Sequence, residues 1–329
     1  MILIITRKGD IHGQYVADAL KTMGEEVEIV DYSTYPLDLQ IISSYIDNIN
    51  PLLIKLPNRT LIDGSTVKSV LNRRPGTPRP PKGIRSKRIR DYMIAEAQAV
   101  IDSMPQLLEC FWINNPDTIR RAGRKLYQLG IAQRVGFHVP RTLISNSPDE
   151  LRKFVSEGDS DYVLKPVFSS GVNVVEDGQE KRVSFYTKKY SRDDVLALAD
   201  MAANNPSICQ EYVAKVYELR VTVVGREIFA CRIDSQSSEI ANEDWRRYDV
   251  DNTPHSVATL PDGVRSMIYA LMDKLDLVFG CIDLIVTPVG EYVFLEINPN
   301  GQWLWIEELT QLPITESLTQ MLRSPPSGE

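Results

Sequence analysis

The hydrophobic pattern of the N-terminal region predicts a strand, a helix and a second strand. Ile2 to Thr6 is a continuous apolar run typical of a buried strand, and His12 to Met23 carries apolar residues at helical spacing. Glu26 to Asp31 follows as another strand. This order and spacing predict a right-handed parallel crossover, so the chain opens with a small α/β domain. The first turn lacks the glycine fingerprint of a dinucleotide site, which excludes a Rossmann cofactor.

The middle of the chain predicts helices and strands in alternation, and two of these elements carry a lysine. One continuous helix, with Asn115 as its N-cap, carries Lys125. The strand from Tyr162 to Pro166 carries Lys165 near its end. The small-residue turn at 168–172 follows, and a turn of this kind is able to close over phosphates through its backbone N–H groups.

Further along, a strand from Ser207 to Val213 ends at a hinge, and Glu218 to Ile233 reads as a hairpin that turns near Gly225. Arg220 lies on one arm of this hairpin and Arg232 on the other. A one-residue difference in turn length decides whether the two arginines share a face, and the sequence leaves both possibilities open.

The last hairpin, Cys281 to Asn298, has acidic residues on an otherwise apolar ladder. It turns at Val289-Gly290, and counting outward from the turn pairs Asp283 with Glu296. Directly opposed residues have Cβ atoms about 4.5–5.5 Å apart. Strand periodicity places Asn298 on the same face as Glu296. Such an oxygen-only cluster suits Mg²⁺, which takes one or two carboxylates and completes its shell with phosphates. A solvent-facing hairpin with scattered acids is the alternative, but the flanking residues are too apolar for an exposed edge.

Two polar stretches allow more than one interpretation. Leu71 to Arg90 is basic and proline-rich, and its prolines exclude a helix or a central strand through Pro81. It is either a mobile surface loop or an anion-binding edge in which Arg73 and Arg74 hold an acidic substrate. Ser235 to Thr253 is long, charged and poorly periodic, so it is either a disordered insertion or a substrate lid.

Composition narrows the class of protein. A chain of 329 residues is long enough for two or three domains. The net charge of -7 argues against a bulk nucleic-acid binder. No apolar run is long enough to span a bilayer, and the N-terminus lacks the features of a signal peptide. The four cysteines are far apart, which suits reduced thiols in a cytoplasm. We therefore expect a cytoplasmic protein that binds neither nucleic acid nor membrane.

The lysines, the hairpin arginines and the oxygen cluster together indicate phosphoryl transfer from ATP. Positive groups and Mg²⁺ stabilise the charge on a transferring phosphoryl group. The chain has no Gly-x-x-x-x-Gly-Lys-Ser/Thr loop and no His-Arg-Asp motif with a following Asp-Phe-Gly. It is therefore neither a P-loop enzyme nor a protein kinase.

These motifs resemble the ATP-grasp superfamily. The resemblance rests on Lys125 in a helix, Val-Leu-Lys165-Pro, Gln210-Glu211-Tyr-Val, Glu218-Leu-Arg220-Val, Asp283 and Glu296-Ile-Asn298-Pro-Asn300. Further segments are similar to ribosomal-peptide maturases of the microviridin and graspetide kind: Asn72-Arg73-Arg74-Pro75, Trp112-Ile113-Asn114-Asn115-Pro116, Lys125-Leu-Tyr-Gln128-Leu, and Val139-Pro140-Arg141-Thr142-Leu143. The resemblance implies an α/β (α+β) ATP-grasp fold, in which an N-terminal α/β pre-ATP-grasp domain precedes two α+β subdomains that clasp ATP. We expect these parts, with a disordered tail, at residues 1–110, 111–205, 206–323 and 324–329.

The resemblance also implies roles for single residues. The residues implied to bind ATP are Lys125, Lys165, Gln210, Glu211, Tyr212, Val213, Glu218 and Asn298. Among these, the hinge at 211–213 would receive the adenine through backbone groups, and Glu218 would contact the ribose. The implied Mg²⁺ ligands are Asp283, Glu296 and Asn298. The implied catalytic residues are Lys165 and two arginines that would hold the γ-phosphate and the acyl-phosphate, Arg220 and Arg232.

The reaction implied by the resemblance uses ATP to phosphorylate a carboxylate, and a nucleophile then displaces phosphate from the acyl-phosphate. In graspetide enzymes the carboxylates are Asp or Glu side chains of a ribosomal precursor peptide. The nucleophiles are Ser or Thr hydroxyls or Lys amines of the same peptide, so the products are macrolactones or macrolactams. The implied contacts to the leader and acidic core of the peptide are Arg73, Arg74, Asp193, Asp194, Arg246 and Arg247. A homodimer is also implied.

Two other functions fit the same motifs. One is an ATP-grasp ligase that joins free amino acids or small peptides, like the RimK-type and D-alanine ligases. The other is a nucleotide-binding regulator without turnover. The basic stretch from Arg73 to Arg90 favours a large acidic partner, and the complete set of Asp283, Glu296 and Asn298 argues against a protein that has lost activity. A neighbouring short peptide gene rich in Thr and Glu would separate the first function from the second.

Overall fold

The computed structural model describes residues 1–46, 52–168, 171–176, 179–184, 187–240, 243, 245 and 252–326. The described residues form five β-sheets, and three of these sheets position the candidate site. None of the helices in the described ranges has the length and apolar character of a bilayer span.

The N-terminal region is built around a parallel sheet. Its elements in chain order are β1 (Ile2–Thr6), α1 (Ile11–Thr22), β2 (Val27–Val30), β3 (Gln40–Ser43), β4 (Leu52–Lys55), β5 (Leu61–Asp63), β6 (Ser69–Arg74), α2 (Lys87–Asp102), α3 (Met104–Leu107) and β7 (Phe111–Ile113). The parallel strands lie in the order β2-β1-β6-β7, and β3 to β5 form a small antiparallel sheet. The predicted strand–helix–strand opening is confirmed, with β1 at the predicted residues.

The predicted loop at the start of the basic stretch is wrong. Residues 71–74 belong to β6, which is a central strand paired with both β1 and β7. The first proline of the stretch is Pro75, directly after the strand, so the prolines restrict only the chain that follows. The end of the stretch is helical, because α2 begins at Lys87 with Ser86 as its N-cap.

The middle region contains a second, antiparallel sheet. Its elements are α4 (Pro116–Ala122), α5 (Lys125–Arg134), β8 (Thr142–Ser145), α6 (Pro148–Ser156), β9 (Tyr162–Pro166), β10 (Gly171–Glu176), β11 (Gln179–Ser184), β12 (Lys189–Tyr190), α7 (Arg192–Leu198) and β13 (Ser207–Glu211). The sheet order is β12-β9-β13-β8, and β10 pairs with β11 as a separate hairpin. The predicted N-cap at Asn115 is confirmed, since its side chain accepts from the Asp117 N–H. The helix that follows is interrupted at Gly123, so Lys125 begins a new helix and does not lie in the middle of one.

The C-terminal region forms a third sheet, covered on both faces. Its elements are β14 (Tyr217–Val224), β15 (Glu227–Ile233), β16 (His255–Val257), α8 (Asp262–Leu275), β17 (Phe279–Val286), β18 (Tyr292–Asn298), α9 (Leu304–Thr310) and α10 (Ile314–Arg323). The strands lie in the order β16-β15-β14-β17-β18. One face packs its apolar side chains on α5 and α8. The other face shares an apolar cluster with Trp303, α9, α10 and the N-terminal sheet.

Buried contacts hold the N-terminal and C-terminal regions together. The Asn114 side chain accepts from the Phe279 N–H and donates to the Phe279 and Pro299 carbonyls. The Ser69 hydroxyl donates to the Leu322 carbonyl at the end of α10. The domain boundaries predicted at 110–111 and 205–206 would separate β7 and β13 from the sheets that they pair with. We therefore propose that these two strands close the N-terminal and the central unit.

His12 lies in this interface and makes folding stability depend on pH. The imidazole is buried in the first turn of α1, edge-on to Trp303 at 4.5 Å between ring centroids. Burial, with the charges of Arg73 and Arg74 opposed by Asp10, lowers its pKa from 6.5 to about 4. The unfolded chain therefore takes up this proton first, and stability falls as the pH is lowered through that window. We expect the thermal midpoint of His12→Phe to fall less than that of the wild type over the same range. Equal slopes would contradict this assignment.

Candidate nucleotide and metal site

A cleft lies between the central sheet and the C-terminal sheet, and most of the predicted ATP-binding residues line it. Its charged lining residues are Lys125, Lys165, Glu211, Lys215, Glu218, Glu243, Asp283 and Glu296. Its apolar walls are formed by Pro140, Val163, Leu164, Pro166, Ile285 and Leu295. An apolar cleft with a few charged groups at defined positions is typical of a small-molecule site.

Lys165 projects from β9 into the cleft and is held by a polar chain across the sheet. Its Nζ donates to the Gln210 Oε1 at 2.9 Å, and the Gln210 Nε2 donates to the Thr142 hydroxyl at 2.9 Å. Gln210 lies on β13, the strand beside β9, and Thr142 lies on β8, the next strand of the sheet. The amide of Gln210 therefore orients the Lys165 ammonium at the wall of the cleft.

The hinge at 211–213 lines the cleft, and the side chain of Glu211 is engaged by a neighbouring arginine. The Glu211 carboxylate forms an ion pair with Arg141 at 3.0 Å, and the Arg141 guanidinium lies over the Phe154 ring at 4.2 Å. The N–H of Tyr212 donates to the Asp161 carbonyl. Glu211 and Val213 both line the cleft. The implied adenine contact through backbone groups of this hinge stays a prediction.

Lys125 is placed against the carboxylates by its own helix. One turn after it, the buried Gln128 accepts from the Ile297 N–H and donates to the Ile297 carbonyl. These bonds fix α5 on β18 one residue away from Glu296. The Lys125 Nζ then lies 3.2 Å from the Glu296 carboxylate. The sequence signal for Gln128 was its position one helical turn after the lysine.

The predicted pairing of Asp283 with Glu296 is confirmed. The same count outward from the turn predicts Thr287 opposite Tyr292, which is wrong by one residue, because Val286 pairs with Tyr292. Leu295 is the extra residue of a bulge that restores the pairing of the two carboxylates. The bulge also explains why Leu295 and Glu296, although adjacent in sequence, both line the cleft.

Asn298 ends β18 and is exposed, beside Cys281 in the ladder. Its Oδ1 accepts from the backbone N–H of Asn300 at 2.9 Å, and its carbonyl accepts from the Gly301 N–H. This turn directs the chain back toward the N-terminal region. The oxygen of Asn298 keeps acceptor capacity beyond its bond to Asn300, because an amide oxygen has two lone pairs.

The hairpin register settles the position of the two arginines. Arg220 lies opposite Asp283, whereas Arg232 lies opposite the core residue Leu219. Opposed residues share a face and neighbours along a strand alternate, so the two arginines lie on opposite faces of the sheet. The Arg232 guanidinium instead forms an ion pair with Asp234 at 2.6 Å. This placement contradicts the implied phosphate role of Arg232.

Glu218 and Lys215 form a buried ion pair in the wall of the cleft. The Lys215 Nζ lies 2.7 Å from the Glu218 carboxylate, and it also donates to the Glu243 carbonyl. Burial raises the pKa of Glu218, an effect opposed by Lys215. Lys215 was missed in the sequence analysis, although its spacing of three residues from Glu218 was a usable signal. The lysine connects the implied ribose contact to the segment that follows residue 235.

Replacing Lys215 makes the stability of the protein more sensitive to pH. Lys215→Met leaves the Glu218 carboxylate buried without its cation, so the pKa of Glu218 rises further above its ordinary value. A carboxyl whose folded-state pKa is raised destabilises the fold once it ionises, and this penalty disappears as the pH falls. We expect the loss of thermal midpoint, relative to wild type, to be larger at about pH 8 than at about pH 5. The double variant with Glu218→Gln should lose this difference, and an equal loss at both pH values would contradict the assignment.

The donor set fits Mg²⁺. Across the described ranges, no group of three or more His, Cys, Asp or Glu side chains is arranged to hold a metal ion without further ligands. Asp283, Glu296 and the amide oxygen of Asn298 supply only hard oxygen donors. Such a set suits a cation that completes its shell with phosphate oxygens and water better than one held in an all-protein cage. The cations Arg220 and Lys125 lie beside the two carboxylates and moderate their mutual repulsion.

Among the residues predicted to bind the peptide, the structure describes Arg73, Arg74, Asp193 and Asp194, and none of these four lines the cleft. Arg73 is 1% exposed and bonded to Asn300, so it cannot reach a peptide directly. Burial lowers its pKa to about 10, which leaves it charged at neutral pH. Arg74 follows it at the end of β6 and is half-buried.

The acidic pair on α7 lies outside the cleft lining. Asp194 closes a capping box with Ser191, which lowers the pKa of its carboxyl. Asp193 is exposed in the same first turn. Arg246 and Arg247 lie outside the described residues. Peptide contacts of these four residues stay predictions.

Comparisons with known proteins agree with this geometry. Residues 1–120 match the family model described as the MvdD pre-ATP grasp domain. A Chryseobacterium gregarium RiPP-associated ATP-grasp ligase, solved with ADP and a leader and core peptide, is 29% identical, with a TM-score of 0.87 over 99% of this chain and 97% of that chain. The search against curated proteins finds no significant match.

Two macrocyclases from Microcystis aeruginosa MRC are also similar. MdnC, solved with its precursor peptide MdnA, is 27% identical, with a TM-score of 0.85 over 98% of this chain and 99% of that chain. MdnB is 29% identical, with a TM-score of 0.78 over 98% of both chains. The similarity therefore extends over all three sheets and includes both sides of the cleft.

Proposed function

Because the chain is an ATP-grasp ligase with a pre-ATP-grasp domain and resembles the graspetide type, we propose that it uses ATP to close rings in a ribosomal precursor peptide. The sequence-based prediction of the ATP-grasp fold class is confirmed by the same similarities. The observation that carries the proposal is the cleft, in which lysines from two elements face a pair of opposed carboxylates.

The cleft residues divide into groups that would bind different parts of ATP. The hinge at 211–213 and the apolar walls suit the adenine, and Glu218 suits the ribose hydroxyls. Lys125 and Lys165 supply positive charge for the phosphates. Asp283, Glu296 and Asn298 would hold Mg²⁺, which neutralises charge on the phosphate oxygens.

The proposed reaction is an acyl transfer driven by ATP. A carboxylate oxygen of an Asp or Glu side chain attacks the γ-phosphorus, the bond to ADP breaks, and an acyl-phosphate forms. A Ser or Thr hydroxyl, or a Lys amine, of the same peptide then attacks the carbonyl carbon. The bond to phosphate breaks, phosphate leaves with its oxygen, and the nucleophile loses a proton. The peptide therefore loses one water molecule for each ring that forms.

Arg220 lies directly behind Asp283 of the cleft and is proposed to stabilise charge in these steps. Its guanidinium lies beside Asp283 at 2.8 Å and also donates to the Gln302 carbonyl. A fixed positive group aimed at developing negative charge, in a site shielded from water, is the usual basis of transition-state stabilisation. Arg220 would therefore stabilise the oxygens of the γ-phosphate and of the acyl-phosphate.

Mass spectrometry of a candidate precursor peptide tests the proposal. The peptide, from a gene beside this one, is incubated with the protein, ATP and MgCl₂. The expected product has lost one or more waters, and partial proteolysis leaves its rings intact. An unmodified peptide, together with ADP release on free amino acids or short peptides, would overturn the proposal in favour of a small-molecule ligase. Bound ATP without turnover on any of these would indicate a nucleotide-binding regulator.

Location and assembly stay predictions within this proposal. The four cysteines are free thiols, and Cys209, Cys231 and Cys281 are buried, which suits a reducing cytoplasm. A homodimer is expected only from the resemblance. Sedimentation of the purified protein at several concentrations tests it.

A further inference from the structure

The segment 299–303 connects the candidate metal ligands to the N-terminal region. It leaves β18 at Asn298 and ends at Trp303, which is 1% exposed and whose indole N–H donates to the Thr315 hydroxyl. The Trp303 ring contacts Phe279 from the C-terminal sheet. The far end of the segment is therefore fixed in the core, and only its first residues depend on other contacts.

Arg73 holds the beginning of this segment. Its Nη1 donates to both the carbonyl and the Oδ1 of Asn300, and the Asn300 side-chain N–H donates back to the Arg73 carbonyl. The guanidinium also lies over the Trp303 ring at 5.2 Å. The Asn300 side-chain N–H also donates to the Asn72 carbonyl at 3.4 Å, so Asn300 is bonded to two neighbouring residues of β6, chiefly to Arg73.

Asn300 in turn orients Asn298. Its backbone N–H donates to the Asn298 Oδ1 at 2.9 Å, and this oxygen is the one proposed to contact Mg²⁺. A hydrogen bond to one lone pair of an amide oxygen fixes the direction of the other. Bonds of this kind behind a ligand commonly set metal affinity.

We propose that Arg73 is a positioning residue for the metal site, acting through Asn300 on Asn298. The proposal rests on the function proposed above, because it takes Asn298 to be a Mg²⁺ ligand. It assigns the N-terminal domain a part in metal binding that does not require contact with substrate. It also replaces the predicted role of Arg73 as a peptide contact.

The segment 299–303 is closely packed against its neighbours. A Cβ on Gly301 would collide with Cys281 and lie 2.8 Å from the Arg220 guanidinium. The Gln302 carbonyl accepts from Arg220. The segment therefore lies in close contact with the proposed catalytic arginine as well as with Arg73. A shift of Asn300 would be transmitted to both groups.

Metal binding, measured without any peptide, tests the relay. Mn²⁺ is titrated into the ADP-bound protein and free Mn²⁺ is followed by electron paramagnetic resonance. We expect Asn300→Ala and Arg73→Lys each to weaken Mn²⁺ binding by about 10–100-fold, the usual range for residues behind a metal ligand. ADP affinity in EDTA should stay within about twofold of wild type, because neither residue lines the nucleotide cleft. The control for the Asn300→Ala substitution is Asn58→Ala, because Asn58 lies in an exposed loop and its Oδ1 accepts from the nearby Thr60 N–H.

The double variant separates a relay from two independent effects. Residues that act through one chain of bonds are not additive, so the double variant should bind Mn²⁺ no more weakly than the worse single variant. A purely structural role would lower the thermal midpoint and the fraction of active sites but leave the Mn²⁺ dissociation constant of the folded fraction unchanged. That result, in either variant, would overturn the inference, as would wild type that binds no Mn²⁺ with ADP.

Mn²⁺ binding and peptide cyclisation, measured separately, show which of the two proposals fails. Weakened Mn²⁺ binding in the variants of a protein that modifies no peptide would support the relay and reject the macrocyclase. If wild type cyclises the peptide and the Arg73 and Asn300 variants bind Mn²⁺ as tightly as wild type, the macrocyclase proposal is supported and the relay is rejected.

Discussion

Glu296→Gln is expected to reduce peptide cyclisation by at least about 100-fold, the scale on which a single group that stabilises transition-state charge is felt. The variant keeps the size of the side chain but removes one of the two opposed carboxylates and the ion pair to Lys125. The remaining carboxylate, Asp283, is shared with Arg220. Product is measured by mass spectrometry under saturating ATP and MgCl₂.

The matched control lies on the same hairpin. Glu291 is an exposed residue at its turn, paired with His138 at 3.5 Å, so Glu291→Gln should cyclise the peptide at the wild-type rate. Binding of ADP in EDTA should persist in Glu296→Gln, because the hinge and Lys165 are untouched. Full activity of Glu296→Gln would contradict the assignment of Glu296 as a Mg²⁺ ligand.

Arg220→Met is expected to lower both stability and activity. The arginine and Asp283 are both buried, with side chains 7% and 11% exposed. Burial opposes the charge of the arginine, but Asp283 holds its pKa above the ordinary value. Removing one partner of a buried ion pair leaves an uncompensated charge and costs about 3–5 kcal/mol. Urea denaturation measures this loss, and cyclisation should fall by about 100–1,000-fold.

Two further variants separate the loss of a buried ion pair from the loss of a catalytic group. Arg226→Met, in the turn after β14, removes an exposed ion pair with Asp273 and a contact with the Tyr269 ring, and should cost about 0–1 kcal/mol. Arg220→Met combined with Asp283→Leu replaces both charges by apolar groups, so stability should largely return while activity stays lost. A double variant as active as wild type would exclude Arg220 and Asp283 from the chemistry.

Local pattern was enough to predict much of the fold. The strand from Ile2 to Thr6, the N-cap at Asn115 and the turn at Gly225 depend on neighbours in sequence. The carboxylate pair was also found in this way, because strand alternation and the turn limited the possible registers. The bulge at Leu295 was not visible, since an inserted residue changes the register without disturbing the apolar character of the strand.

Long-range partners account for what sequence reasoning missed. Arg73 was expected either in a surface loop or at an anion-binding edge because its neighbours are arginine and proline, whereas its partner Asn300 lies 227 residues away. The phosphate role of Arg232 came from the resemblance alone, since the turn length left its face open, and the register places it on the face opposite to that of Arg220. For both arginines, the residue type indicated the charge of the side chain but not which groups the side chain contacts.

Transfer of a heavy-oxygen label tests the central claim most directly. The Asp and Glu carboxylates of the precursor peptide are labelled with heavy oxygen, and the peptide is incubated with the protein, ATP and MgCl₂. If ATP activates a peptide carboxylate, one labelled oxygen leaves with phosphate for each ring formed, and the phosphate gains the label in step with cyclisation. Unlabelled phosphate from a cyclised peptide would mean that ring closure does not pass through an acyl-phosphate, and the account of this site would be wrong.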